Sequence, residues 1–367
     1  MKRWEMRRYS PPMLKSLLAS LVLLAPLAQA AQAPAVELNP ECKTAGRSVA
    51  ESGYVSIGGI RQWVTVDGDD CANPVVLIVH GGPGNPNTPF AHKLFGAWAK
   101  QFTVVQWDQR GSGKTYAESK PAEDEVLTMQ RLTQDSVEMA RYALQRLGKR
   151  KVILMGGSWG SALSVNMAMA APELFHAYVG TAQLVNYQAD MAQSYAKTLA
   201  LAKAASDADS LAKLDKLGPP PWTDPRAFGV LRRITRKYEA LSTDAPPKGW
   251  FAFAPGYDTP AYEAAYEAGE DYSFLNFVGL HGDGMGPKID LRKLGLRFAM
   301  PVTMLQGEQD LVTPSEVSRP YFDEIVAPKK EFVPLARTGH DPNPIMIEAQ
   351  YAALQRVRAQ AVEADRK

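Results

Sequence analysis

Residues 151–161 read Lys-Val-Ile-Leu-Met-Gly-Gly-Ser-Trp-Gly-Ser, and this stretch decides the fold. The apolar run that ends at Met155 is typical of a β-strand covered on both faces. The glycines that follow predict a tight turn, and the alanine- and methionine-rich residues 162–171 predict a helix directly after it. A buried strand, a glycine turn around Ser158 and a helix therefore follow one another without a break.

The same pattern recurs on both sides of this stretch. The predicted strands are residues 75–79, 103–107, 151–155, 301–307 and 331–335, and the predicted helices are residues 132–147, 162–171 and 344–362. Most of these strands are apolar runs that end in glycine-containing loops. In the first helix the apolar residues recur every three or four positions, which places them on one face. Strands that alternate with helices predict an α/β fold with a mostly parallel sheet.

Composition and charge exclude several classes of protein. Of the 367 residues, 46% are apolar and 22% are charged, which is typical of a globular protein and excludes disorder and coiled coil. The net charge is +2 for the whole chain and −2 without residues 1–30, which hold five basic residues and one acidic residue. A chain so nearly neutral is not expected to bind nucleic acid.

Residues 1–30 are predicted to be a secretory signal peptide. A basic start precedes an apolar run from Leu14 to Leu27, and Ala28-Gln-Ala30 has the small-residue pattern of a cleavage site. The run is shorter than the roughly 20 apolar residues that a membrane span needs, so we expect no span after the signal is removed. The protein is therefore expected in the periplasm or outside the cell.

The two cysteines of the chain, Cys42 and Cys71, are expected to form a disulfide, because an exported protein meets an oxidising compartment. Residues 49–57 and 60–66 predict a hairpin with its turn at residues 58–59, which brings the two cysteines near each other. The alternative is a pair of buried free thiols.

The regular alternation of strands and helices fails between residues 184 and 295, where helical stretches and a Pro219-Pro-Pro221 break replace it. This predicts one α/β domain interrupted by a mainly helical insert. The predicted segments are the signal peptide at 1–30, the first part of the core at 31–183, a helical cap insert at 184–295 and the second part of the core at 296–367.

Ser158 is the candidate nucleophile. The pattern Gly156-x-Ser158-x-Gly160, after a strand and before a helix, is that of the nucleophile elbow of α/β-hydrolases. The sharp turn holds the serine in a strained backbone conformation, and the glycines let neighbouring backbone approach. The hydroxyl then projects beside a helix amino terminus, which stabilises developing negative charge.

A serine hydroxyl needs a base and an acid that orients the base, and in this fold the chain order is serine, acid, histidine. Asp310 and His340 each follow a late predicted strand, so both should reach the same crevice. His340 would take the serine proton while Asp310 holds the imidazole. Glu308 is the rival acid, followed by Asp341.

Backbone amides supply the predicted oxyanion hole. We assign it to the N–H groups of Trp159, which follows the nucleophile, and of Gly82, with Gly81 as the alternative. His80 begins the glycine loop after an early strand, and it is expected to hold this loop by hydrogen bonds rather than to act as the general base.

Two other kinds of site are excluded. Gly113-Lys-Thr115 ends like a nucleotide-binding loop, but that pattern needs a glycine where Asp108 stands. The five histidines include no pair at the spacing of a metalloprotease helix. We therefore expect neither a metal nor a cofactor.

Three motifs in their order along the chain resemble the proline iminopeptidase branch of the α/β-hydrolases. They are His80-Gly-Gly-Pro-Gly84, Trp107-Asp-Gln-Arg-Gly-Ser-Gly113 and Gly156-Gly-Ser-Trp-Gly-Ser161. The resemblance implies that Ser158, Asp310 and His340 form a triad, and that the enzyme removes an amino-terminal residue, commonly proline, from peptides without a metal.

In that family, carboxylates of the insert bind the free amino group of the substrate. The candidates here are Glu263 and Glu267, which would share one face of a helix that begins near Thr259. No lysine or arginine occurs in residues 249–287, so this region could attract an ammonium group. A solvated helix face is the alternative explanation of the same carboxylates.

These observations predict an exported, metal-independent serine hydrolase that acts through an acyl-enzyme on small peptides. Two alternatives stay open. One is a small-molecule esterase or amidase of the same fold, and the other is a non-catalytic binding protein built on a hydrolase scaffold.

Overall fold

One sheet of eight strands runs through the structure, a computed structural model that describes residues 38, 41–122 and 124–366. The strands are β1 (Val49–Ile57), β2 (Ile60–Gly68), β3 (Val75–Val79), β4 (Thr103–Trp107), β5 (Val152–Gly157), β6 (Phe175–Thr181), β7 (Val302–Gly307) and β8 (Lys330–Leu335). Their order in the sheet is β1-β2-β4-β3-β5-β6-β7-β8. The predicted signal peptide, residues 1–30, lies outside the described residues.

Helices connect most of these strands. They are α1 (Ala91–Leu94), α2 (Gly113–Glu118), α3 (Met129–Leu147), α4 (Trp159–Ala170), α5 (Tyr187–Ala204), α6 (Ala208–Leu217), α7 (Arg226–Glu239), α8 (Pro260–Val278), α9 (Ser315–Glu324) and α10 (Pro344–Arg366). β1 and β2 form the predicted antiparallel hairpin, and β2 is antiparallel to β4. The six strands from β3 through β8 all run parallel to one another. The prediction of an α/β fold with a mostly parallel sheet is confirmed.

The core lies on both faces of the sheet, which explains why β3 is an unbroken apolar run. Val75, Leu77 and Val79 belong to the apolar cluster on one face, together with residues of α3 and α4. Val76 and Ile78 belong to the cluster on the other face, together with residues of α10. A strand covered in this way has no position at which a polar side chain would meet water.

The sequence does not predict β6, although it lies in the middle of the sheet, between β5 and β7 and parallel to both. Its residues, Phe-His-Ala-Tyr-Val-Gly-Thr, include a histidine and a glycine that interrupt the apolar pattern. A second difference concerns α4, which begins at Trp159 rather than at the predicted residue 162. The turn between β5 and α4 is therefore the single residue Ser158.

A disulfide joins Cys42 to Cys71, with their Cα atoms 5.0 Å apart. Both residues are buried, and the Cys71 amide donates to the carbonyl of Arg47 over 2.8 Å. The bond ties the segment before β1 to the segment before β3, at the edge where the sequence predicts it.

Helices α5 to α8 lie between β6 and β7, and we call residues 182–301 the helical insert. Lys197 of α5 forms an ion pair with Glu316 of α9, with 2.8 Å between nitrogen and oxygen. The Lys114 ammonium lies 4.0 Å from the ring centroids of both Trp63 on β2 and Tyr257 in the insert. A cation between two aromatic faces holds the insert against the sheet edge.

None of the helices in the described part of the chain has both the length and the apolar character that crossing a membrane would require.

Candidate active site

The backbone at Ser158 is strained. Ser158 has φ 53° and ψ −124°, a region that residues other than glycine rarely adopt, and its amide donates to the carbonyl of Thr181 on β6 over 3.0 Å. A Cβ atom at Gly160 would meet the carbonyl oxygens of Val79 and His80, so this glycine is required for α4 to pack against the end of β3. The sharp turn at the end of β5 thus rests on its neighbouring strands.

The structure brings Ser158, His340 and Asp310 together. Nε2 of His340 lies 3.0 Å from Oγ of Ser158, and Nδ1 of His340 lies 3.1 Å from each carboxylate oxygen of Asp310. Asp310 follows β7 and His340 follows β8, so the loops at the carboxyl ends of two adjacent strands deliver them. These are the contacts that proton transfer from the serine hydroxyl requires.

Hydrogen bonds hold the Asp310 carboxylate. It accepts from the amides of Val312 and Thr313 over 2.8 and 2.9 Å and from the Thr313 hydroxyl over 2.9 Å. Burial alone would raise the pKa of Asp310. The attraction and hydrogen bond of His340, with those two amides, outweigh burial, so the pKa lies below its ordinary value. The side chain is therefore an anion that cannot donate to the ring nitrogen.

His340 lies beside this anion with its side chain 11% exposed. Burial alone would lower the pKa of the imidazole, but the attraction of Asp310 and the hydrogen bond to it prevail, and the pKa lies above its usual value. The imidazole is consequently a stronger base than a free histidine.

The two rival acids are placed differently from Asp310. Glu308 is exposed. Asp341 accepts from Nη2 of Arg232 over 2.6 Å and from Nε of Arg236 over 3.3 Å. Among the described residues, the carboxylate hydrogen-bonded to the ring of His340 is that of Asp310.

The glycine loop after β3 lies beside Ser158. A Cβ atom at Gly81 would lie 3.5 Å from Cβ of Ser158, whereas one at Gly82 would meet the amides of Gly84 and Asn85. Of the two glycines considered for the oxyanion hole, Gly81 thus lies against the serine and Gly82 forms the turn, with φ 109°. Trp159 is the first residue of α4, and the amide of a first helical residue has no partner within the helix.

His80 holds this loop. Its Nε2 accepts from the amide of Gln109 over 3.1 Å, so the proton resides on Nδ1, which donates to the carbonyl of Gly81 over 2.8 Å. Burial lowers the pKa of His80 to about 4, so the ring is neutral at pH 7. The sequence-based expectation that His80 positions the loop agrees with these contacts.

A cavity of about 420 Å³ opens in front of Ser158 and His340. Its walls are mostly apolar, and three charged side chains from the helical insert reach it: Arg232, Arg236 and Glu270. A site of this size is suited to a small molecule.

Glu270, rather than Glu263 or Glu267, is the carboxylate of α8 that lines the cavity. Glu263 and Glu267 are exposed and point away from it, because the face of α8 toward the cavity is the one that carries Tyr266 and Glu270, four residues apart. The predicted amine-binding residues Glu263 and Glu267 thus lie on the exposed side of α8, and Tyr266, one turn before Glu270, marks the side toward the cavity.

The surroundings of Glu270 connect it to the glycine loop. A Cβ atom at Gly84 would lie 2.8 Å from Cα of Glu270, so the loop packs directly on α8. Burial raises the pKa of Glu270, and a hydrogen bond from Asn85 partly opposes that shift. The charge of Arg236, which lines the same cavity, also opposes the shift, but no ion pair of Glu270 is seen among the residues that the structure describes. A half-buried carboxylate of this kind can receive a cation from a ligand.

Within the described ranges, no three histidine, cysteine, aspartate or glutamate side chains are grouped so that they could hold a metal ion.

Comparisons with known proteins identify the family of the fold. The sequence profile described as the alpha/beta hydrolase fold matches residues 74–344. The probable aminopeptidase YbaC of Bacillus subtilis is 29% identical, and the match covers 81% of this chain and 92% of that protein. The proline iminopeptidase of Neisseria gonorrhoeae is 26% identical, covering 72% of this chain and 83% of that protein.

A solved structure has the same architecture. The proline iminopeptidase of Mycobacterium smegmatis superposes with a TM-score of 0.63 at 20% identity, over 86% of this chain and 99% of that one. At this identity the similarity shows the fold.

Proposed function

Because the chain belongs to the α/β-hydrolase fold family, we propose that it is a serine hydrolase that releases amino-terminal residues from small peptides. The observation that carries this proposal is the 3.0 Å contact between Oγ of Ser158 and Nε2 of His340, whose other nitrogen meets Asp310. The names of the relatives, proline iminopeptidase and probable aminopeptidase, favour peptides as substrates.

Acylation begins when Oγ of Ser158 attacks the carbonyl carbon of the peptide and its proton passes to Nε2 of His340. Asp310 keeps the proton of Nδ1 in place and stabilises the imidazolium. The C–N bond then breaks, and His340 gives its proton to the leaving amine. A water molecule hydrolyses the acyl-serine in the same way, with His340 as base, and restores the Ser158 hydroxyl.

The developing oxyanion needs two donors. The amide of Trp159 at the start of α4 is one, and the glycine loop supplies the other, from Gly82 or from Gly81. Both glycines line the cavity with Ser158. Since neither donor has to move as charge develops, the stabilisation costs little reorganisation.

Glu270 is proposed to bind the free ammonium group of the substrate. Its carboxylate lines the cavity and lies in the helix against which the glycine loop packs. A cation that replaces water beside a half-buried carboxylate gains more than it would at an exposed one. This contact would select peptides with an unblocked amino terminus.

We further propose that residues 184–295 act as a cap over the site and that the protein works after export without a metal. The disulfide between Cys42 and Cys71 supports an oxidising compartment. The insert supplies Arg232, Arg236 and Glu270 to the cavity, which supports the cap.

The test is the hydrolysis of proline and alanine arylamides and of short-chain aryl esters, each with Ser158→Ala as the control. We expect arylamide turnover that disappears in Ser158→Ala. Arylamide turnover that survives this substitution would refute Ser158 as the nucleophile. Ester turnover without arylamide turnover would replace the peptidase with an esterase.

A further inference from the structure

Helix α7 of the insert contacts both of the loops that carry the proposed acid and base. Oε1 of Glu239, at the end of α7, accepts from the amide of Leu311 over 2.9 Å, and Leu311 directly follows Asp310. One and two turns earlier on the helix, Arg236 and Arg232 donate to Asp341, which directly follows His340. One helix therefore binds the residue next to each member of the pair.

The two contacts are joined to each other. Nη1 of Arg232 donates to Oε2 of Glu239 over 3.1 Å, so each carboxylate oxygen of Glu239 has its own partner. The side chains of Arg232 and Glu239 are only 12% and 6% exposed. A Cβ atom at Gly339 would lie 3.2 Å from the carboxyl carbon of Glu239, so the backbone just before His340 rests on this side chain.

Losing one partner of this ion pair should cost more than in a surface ion pair. A buried charge without its partner has no water to solvate it. Burial raises the pKa of Glu239, and the charge of Arg232 opposes that shift. Removal of Arg232 would leave Glu239 buried without its cation, and removal of Glu239 would leave Arg232 with Asp341 alone. In either case the contacts that join the two loops through α7 would be lost on one side.

We propose that Glu239 and Arg232 are positioning residues, which through α7 hold the Asp310 and His340 loops at the spacing that proton transfer from Ser158 needs. This inference rests on the proposed function, since it concerns the same reaction. It makes the helical insert part of the catalytic machinery as well as a cover for the substrate.

The charges around His340 give the proposal a distinctive signature. The groups that face the ring are Asp310 from the loop after β7, Asp341 from its own loop, and Arg232 and Glu239 from α7, with Arg236 acting through Asp341. Arg232 lowers the pKa of His340, and Glu239 attracts the protonated ring. Neutral side chains at the two positions should therefore move this pKa in opposite directions.

The experiment compares Glu239→Gln and Arg232→Gln in the full-length protein, with an arylamide substrate and over a range of pH. Arg233→Gln is the matched control, because Arg233 is the next residue on α7 and is exposed on its other face. Both test variants should lower kcat at least about tenfold, and Glu239→Gln should leave KM within about twofold. The acidic limb of kcat/KM should move to lower pH in Glu239→Gln and to higher pH in Arg232→Gln.

Unchanged kcat, or acidic limbs that move in the same direction, would overturn the proposal. Should the glutamine variants fail to fold by circular dichroism, Glu239→Asp and Arg232→Lys keep the charges and alter only the reach. These two variants should lower kcat without shifting the acidic limb of kcat/KM. Normal kcat in both variants would also overturn the proposal. Turnover that survives Ser158→Ala would instead refute the proposed nucleophile, which separates the two failures.

Discussion

Nδ1 of His340 lies 3.1 Å from both carboxylate oxygens of Asp310, while the same carboxylate accepts from the amides of Val312 and Thr313. The acid is thus fixed by its own loop before it meets the histidine. A carboxylate held in this way cannot rotate to follow the ring, so the ring must adopt the orientation that points Nε2 at Ser158.

Asp310→Asn should lower kcat by about 10³- to 10⁴-fold with little change in KM, because an amide in this position can force the wrong imidazole tautomer. Steady-state kinetics with an arylamide measures the effect. Glu308→Gln is the control, since Glu308 is exposed in the same loop. A loss of less than about tenfold in Asp310→Asn would contradict the role of Asp310.

The acidic limb of kcat/KM should lie above the usual histidine value of 6.5, because Asp310 raises the pKa of His340 and the ring must be neutral to act as a base. Activity should therefore fall as the pH drops through this raised value. The measurement is kcat/KM from pH 4.5 to 9 for the unmodified protein, with circular dichroism at each pH to exclude unfolding. A limb below 6.5 would argue against a charged Asp310.

Glu270→Gln should raise KM for substrates with a free amino group by about tenfold and leave that for amino-blocked substrates nearly unchanged, because the substitution removes the charge that pairs with ammonium. Glu263→Gln and Glu267→Gln are matched controls, since these carboxylates are exposed on the same helix. Equal effects on free and blocked substrates would reject the amine site.

His80→Gln should make the free energy of unfolding decrease less as the pH falls. The pKa of His80 is lowered to about 4 in the folded protein, whereas the unfolded chain protonates near 6.5. The neutral ring therefore stabilises the fold fully above about pH 6.5, and this stability is lost as pH falls toward 4. The difference amounts to on the order of 3 kcal/mol in the free energy of unfolding.

Urea unfolding at pH 7.5, 5.5 and 4.5 tests this expectation, with the difference between the unmodified protein and His80→Gln as the readout. The difference between the two proteins is needed because Asp108 also titrates in this range. Burial raises its pKa to about 7, so its contribution to the free energy of unfolding decreases as pH rises. Parallel pH dependence in the two proteins would exclude a buried neutral His80.

Replacement of both Cys42 and Cys71 by alanine should lower the free energy of unfolding by about 3 to 4 kcal/mol. The disulfide closes a loop with a sequence separation of 29 residues, and its loss frees this loop in the unfolded chain. Urea unfolding measures the change, and a single Cys42→Ala variant kept under reducing conditions is the control. A change of less than about 1 kcal/mol would mean that the bond contributes little to stability.

The sequence predicts the parts of the site that lie next to buried strands. Ser158 and Asp310 follow the buried strands β5 and β7, and His340 follows β8 at the sheet edge, so the parallel order of the sheet is enough to bring them together. Local chain order contains that information, because the carboxyl ends of parallel strands share an edge.

The contributions of the insert are not predictable in the same way. Glu270 rather than Glu267 faces the cavity because of how α8 packs on the glycine loop, and a helical pattern of carboxylates alone does not fix this rotation. Glu239 is separated from Leu311 by 72 residues, and no motif links them. Contacts between distant segments depend on tertiary packing, which a pattern in one segment does not encode.

The left-handed backbone at Ser158 has a consequence for anyone who evolves this protein in the laboratory. Glycine tolerates that conformation, whereas serine holds it at a cost of about 1 to 3 kcal/mol. Selection for heat resistance alone would therefore favour glycine at position 158, which would remove the hydroxyl of the proposed nucleophile. A screen for more stable variants therefore has to select for activity at every round.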